Sequence, residues 1–230
     1  MSVQKIRGWY RKGERVRFTS HLDVLRAWER AIRRAGLPLS YSEGFTPHPR
    51  IAFAAPLPLG FTAEAEVMDV SLDERMPTKS FVDLLRTEST EDLRVFRAAE
   101  VPVTAPSPQA SMRWALYRAE LQNADSELTC TRVSNFLGVP RLVWEENRNG
   151  KTRSYDLRAV VTSMSVRSQV EPVEILMKLR SDPEVTGRPG EVIAALFPES
   201  PPEVQYVRTG IVLDEPSPAR DAWRRTGRYL

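Results

Sequence analysis

His21 and His48 are the only two histidines in 230 residues. As a base and an acid they would suffice for RNA phosphodiester cleavage without a metal ion. His48 lies between Pro47 and Pro49 and so must project from a loop. His21 falls in the expected first turn of a helix, where the positive end of the dipole lowers an imidazole pKa. Nothing in the sequence brings the two together. A hydrogen-bonded structural His21 and a surface His48 stand beside the catalytic reading.

Arginine supplies the second kind of chemistry. Residues 1–50 hold eleven Lys/Arg against four Asp/Glu, whereas residues 51–230 hold 22 against 26. A basic lobe on a mildly acidic molecule points to an anionic partner. On a helical wheel over 22–35, Val24, Leu25, Trp28, Ala31, Ile32 and Ala35 share one arc, and Arg26, Arg30, Arg33 and Arg34 take the opposite one. Guanidinium groups this close repel unless an anion compensates, and their planar fork suits phosphate. The alternative is a helix whose arginines face water or pair with acids elsewhere. Lys5, Arg7, Arg11, Lys12, Arg15, Arg17 and Arg50 surround this helix in sequence, interleaved with Trp9, Tyr10, Tyr41 and Phe45 as stacking surfaces for bases. The candidate nucleic-acid-binding set is Arg17, Arg26, Arg30, Arg33, Arg34, Tyr41, Phe45, His48 and Arg50.

The loop that follows carries five prolines from Pro38 to Pro58, with Gly44 at an expected turn. Proline fixes φ and removes donors, so the loop is stiff and holds its side chains in place. No Walker A, Rossmann glycine fingerprint, G-x-S-x-G or metal-spaced histidine pair occurs. These features lean towards binding rather than catalysis.

The elements that must position these residues repeat in two halves. Strands are expected at 3–12, 51–57, 64–72 and 93–101, with helices from Ser20 to Ala35 and over 80–87. After a proline-rich linker at 101–108, strands are expected at 112–121, 160–167, 173–180 and 204–213. Helices there run over 126–137, capped by Ser126, and 189–197, and a hairpin turns at Asn149-Gly150. Each half reads β-α-β-β-α-β, an α+β chain of tandem ferredoxin-like domains with antiparallel sheets and helices on one face. The expected domains are 1–104 and 111–213, with a tail at 214–230.

One cysteine, Cys130, excludes an intramolecular disulfide and a cysteine-held iron–sulfur cluster from this chain alone. It is expected to be a small buried thiol. No stretch approaches the ~18 apolar residues of a membrane helix and no signal peptide is visible, so no membrane contact and a cytoplasmic location are expected. No cofactor or metal is expected in this chain.

Ser20–Asp23 (SHLD), Arg33–Pro38 (RRAGLP) and Tyr41–Arg50 (YSEGFTPHPR) lie within a block, Phe18–Gly60, that resembles the signature of the radical-SAM-linked protein family, a domain of unknown function. Tyr155–Arg158 (YDLR) and Gly187–Val192 (GRPGEV) also fit. The resemblance implies a chain encoded beside, or fused to, a radical SAM protein, often near genes for ribosomal proteins and a ribonuclease. It transfers no catalytic residues. The iron–sulfur cluster and S-adenosylmethionine would belong to that partner, in keeping with the absence of a C-x-x-x-C-x-x-C motif here. A fold-level analogy runs to RNA-binding proteins with paired ferredoxin-like domains, such as CRISPR repeat-processing proteins. The expected function is therefore an RNA-binding or adapter protein in RNA- or ribosome-linked modification or processing, with a radical SAM protein and RNA as partners. A metal-independent RNA-processing enzyme and a protein-docking module without nucleic acid are the alternatives.

Overall fold

The computed structural model describes residues 2–148, 151–167 and 171–214. Its first half runs β1 (Gln4–Lys12), α1 (His21–Arg34), β2 (Ile51–Phe53), β3 (Thr62–Leu72), α2 (Thr78–Glu88) and β4 (Val95–Val101). A one-turn helix, α3 (Pro108–Ser111), leads into β5 (Met112–Leu121) and α4 (Ser126–Gly138). The hairpin β6 (Val143–Arg148) and β7 (Lys151–Asp156) follows, then the single turn α5 (Leu157–Val160). The chain closes with β8 (Val161–Arg167), β9 (Val173–Arg180), α6 (Pro189–Leu196) and β10 (Val204–Leu213).

The fold is α+β, built on one eight-stranded sheet in the order β4-β1-β3-β10-β5-β9-β8, with β2 also on β3. All pairings are antiparallel except β3 with β10, which join in parallel over Val207↔Thr62 and Arg208↔Ala63. Because β1 occupies one whole edge of β3, β2 and β10 share the other. The two halves thus meet in a single sheet through a two-residue bridge. β6 and β7 form a separate two-stranded sheet, and the Asn149-Gly150 turn between them lies outside the described residues. The tail beyond Asp214 lies outside them too.

There are two cores, one centred on each half, with Ala54 and Val67 of the first half joining the second. Ile6 and Tyr10 of β1 and Met68, Val70 and Leu72 of β3 are buried with Val24, Trp28 and Ile32 of α1 and Phe81 and Leu85 of α2. In the second half Ala115, Tyr117, Ile175, Met177 and Leu179 pack with Val133 and Phe136 of α4 and Val192, Ile193 and Leu196 of α6. On β1 the alternate residue Arg7 is also buried, where it grips Asp69 through Nε at 2.6 Å and Nη2 at 2.9 Å.

Several boundaries differ from expectation for physical reasons. β2 stops at Phe53 instead of reaching 57, because Pro56 and Pro58 lack the N–H that pairing needs. α4 is capped by Asp125 rather than Ser126, its Oδ1 accepting from Leu128 N at 2.7 Å. Cys130 is exposed, not buried; the inner face of α4 is Thr129, Val133 and Phe136.

Candidate nucleic-acid interface

The start of α1 is fixed by a reciprocal cap. Ser20 Oγ accepts from Asp23 N at 3.2 Å and donates to Asp23 Oδ2 at 2.7 Å. That hydrogen bond holds the Asp23 carboxyl below its ordinary range, with Arg26 and Arg30 helping. At the other end the N–H of Leu37 returns to Ile32 O at 3.2 Å, and Gly36 takes φ +65°, where a side chain would be strained. The buried arc of Val24, Trp28, Ala31 and Ile32 then fixes the rotation of the helix.

That rotation turns Leu22, Arg26, Arg30 and Arg33 outward as one stripe, about a turn apart along the axis. All four are exposed, Leu22 at 60%. Arg26 has a loose contact with Asp23 at 3.4 Å. Among the described residues no carboxylate lies within ion-pair distance of Arg30 or Arg33. Arg33 sits in the last turn, where the helix dipole already favours a cation, whereas Arg26 and Arg30 gain nothing there.

Arg34 leaves the stripe, because its Nε donates to Glu88 Oε2 of α2 at 3.1 Å. Arg17 is half-buried, pairs with Glu14 at 2.8 Å and lies 4.8 Å over the Phe18 ring. Residues 41–50 form a closed lobe: Tyr41 bridges Pro49, and Ser42 N donates to His48 O at 2.9 Å. Ser42 Oγ in turn accepts from His48 N at 2.9 Å. Tyr41, Phe45, His48 and Arg50 are all exposed on this lobe.

Two expected stacking rings are elsewhere. Tyr10 is only 3% exposed and meets Trp28 edge-on at 5.1 Å. Trp9, on the opposite face of β1, packs against the second core and takes the Arg97 guanidinium on its ring at 3.7 Å. Phe18, just before α1, is 70% exposed.

His21 and His48 share no hydrogen bond among the described residues. The His21 ring stands edge-on to Phe53 at 5.3 Å and lines a cavity of about 10 Å³ with Tyr10, Lys12, Thr19 and Glu66. Lys12 Nζ is tethered to the carbonyls of Arg17 and Thr19 at 3.0 and 3.2 Å. Burial lowers the His21 pKa, opposed by Glu66. An imidazole with a lowered folded pKa contributes stability that is complete above about pH 6.5 and is lost as pH falls through the folded value. Urea midpoints of wild type should therefore drop more than those of His21→Gln between about pH 7 and pH 5, values that straddle the free imidazole pKa. Parallel pH curves would count against this burial effect.

A larger cavity of about 460 Å³ lies where the two halves join, lined among others by Arg11, Glu14, Glu64, Arg118, Glu120 and Gln205. Its charges are matched internally. Arg118 alone contacts Glu64 and Glu120 at 2.8 Å and Glu174 at 3.4 Å. Among the described residues no cluster of His, Cys, Asp and Glu is arranged to hold a metal ion, and no helix is long and apolar enough to cross a membrane.

Sequence reasoning missed Phe18 and Leu22. Leu22 carried a signal, since it falls on the arginine arc of the wheel rather than the apolar one. Phe18 carried none beyond its place before the cap.

A family model described as an uncharacterized protein conserved in bacteria (DUF2344) matches residues 5–189. No curated protein matches the chain.

Proposed function

The chain belongs to this uncharacterized bacterial family, and we propose that it is an RNA-binding adapter that presents RNA to a radical SAM partner. The observation that carries this reading is the outward stripe of Arg26, Arg30 and Arg33, two of them without a carboxylate partner among the described residues. Unpaired guanidinium groups one turn apart repel one another, and a phosphate backbone relieves that repulsion. The resemblance of Phe18–Gly60 to the radical-SAM-linked family supports a partner carrying the iron–sulfur cluster and S-adenosylmethionine. In this reading the chain supplies position and charge, and the partner supplies the chemistry.

The strand orders β4-β1-β3-β2 and β10-β5-β9-β8 support reading 1–104 and 111–213 as two ferredoxin-like units. Each has its first strand beside its last and its third beside its second, with a helix in both crossovers. The arginine helix is the first crossover of the first unit. A cytoplasmic site of action goes with an RNA target.

RNA affinity should fall steeply with salt. Arg26→Glu/Arg30→Glu should weaken it at least tenfold and flatten the log–log salt slope by about 1.4, at roughly 0.7 per lost phosphate contact on a single strand. Salt-independent binding, or a double variant that behaves as wild type, would refute the RNA reading. Recovery of a protein partner that survives nuclease treatment, with no RNA bound, would favour the docking alternative instead.

A further inference from the structure

The exposed rings say which form of RNA this surface fits. Phe18 is 70% exposed, and Phe45, at the tip of the 41–50 lobe, is fully exposed. A lone exposed phenylalanine is unremarkable. These two differ in how they are held and where they lie.

Phe18 has Arg17 at 4.8 Å over its ring, and a Cβ placed on Gly60 would lie only 3.5 Å from its edge. Its backbone is pinned by the hydrogen bond from Gly60 N to Arg17 O at 3.0 Å. Phe45 stands on a lobe closed at its base by the Tyr41–Pro49 bridge and by two hydrogen bonds between Ser42 and His48. Pro47 and Pro49 stiffen that lobe further. In the chain Phe18 precedes α1 and the lobe follows it, and the helix between them has 14 residues, about 21 Å of axis. Arg26, Arg30 and Arg33 lie exposed on that helix, between the two rings in chain order.

We infer that this surface binds an unpaired, single-stranded RNA segment, with bases stacked on Phe18 and Phe45 and phosphates on Arg26, Arg30 and Arg33 between them. The inference rests on the RNA reading above and narrows it. A duplex buries the faces of its bases in its own stack, so it could use the arginines but not the rings. A single strand offers both a regular row of phosphates and open base faces. An acidic protein segment would answer the arginines but gives the rings no flat partner.

The test uses the full chain with an unstructured 12-nucleotide mixed A/C RNA and a 12-base-pair RNA duplex, each titrated at several salt concentrations. The single strand should bind at least tenfold more tightly than the duplex. Phe18→Ala and Phe45→Ala should each weaken single-strand binding about tenfold and leave the salt slope unchanged. Both rings are exposed, so unfolding midpoints should match wild type. Equal affinity for duplex and single strand, or phenylalanine variants that bind as wild type, overturns the inference. If Arg26→Glu/Arg30→Glu still weakens binding in that case, RNA binding itself survives. Absence of salt-sensitive binding to either RNA removes the RNA reading, and this inference with it.

Discussion

Replacing Arg208 by methionine is expected to cost about 3–5 kcal/mol of folding stability, the typical cost of breaking a buried ion pair. Arg208 on β10 and Glu66 on β3 are 1% and 4% exposed. The guanidinium donates through Nε to Glu66 Oε1 at 2.6 Å and through Nη2 to Glu66 Oε2. It also reaches the Ala55 carbonyl at 2.9 Å. Burial alone would lower the Arg208 pKa, but Glu66 and Tyr117 beside it together more than reverse that. Methionine would leave that carboxylate buried, without its cation, next to Tyr10, whose own pKa is already pushed up by burial and by Glu66.

A second substitution separates the two origins of that cost. In Glu66→Leu/Arg208→Met both charges go, and most of the lost stability should return. A single variant that loses less than about 1 kcal/mol would mean the pair is not desolvated as its exposure indicates. Location gives a further readout. β3 and β10 pair only at Val207↔Thr62 and Arg208↔Ala63, so amide exchange in Arg208→Met should rise first at this bridge.

The same bridge marks the limit of what the sequence could tell. Helix α1 was legible because its apolar residues recur at helical spacing and a serine cap precedes them. The alternation of strands and helices in each half was legible from local pattern too. The joining of the halves was not. It depends on two parallel residue pairs and on an arginine and a glutamate 142 positions apart, and no local periodicity encodes such a contact. Cys130 was misplaced by its residue type. The inner position of α4 went to Thr129, whose hydroxyl can be buried because it donates to Asp125 O at 2.6 Å. Trp9 and Tyr10 were misjudged because neighbours on a strand face opposite ways, and here both faces of β1 are covered. Of the arginines on the outer arc, only Arg34 meets a carboxylate from another element among the described residues, and Glu88 lies on a helix whose placement sequence alone does not give.

Trp28→Ala should cost a further class of stability, about 3–5 kcal/mol, because the ring is 1% exposed and lies beneath the arginine stripe. Tyr10 packs edge-on against it at 5.1 Å, so the space left cannot close without moving α1 on the sheet. Trp28→Phe should behave differently. Trp28 Nε1 is buried with no hydrogen-bond partner among the described residues, which costs roughly 1–3 kcal/mol in the native protein. Phenylalanine removes that donor while keeping a ring on Tyr10, so its smaller volume is largely offset and stability should stay within about 1 kcal/mol of wild type. The two variants also separate packing from recognition. Trp28→Phe leaves the rotation of α1 intact and should keep RNA affinity, whereas Trp28→Ala should lose affinity along with its urea midpoint. Equal destabilisation by both would mean the indole N–H does find a partner, and that the ring's size alone seats the helix.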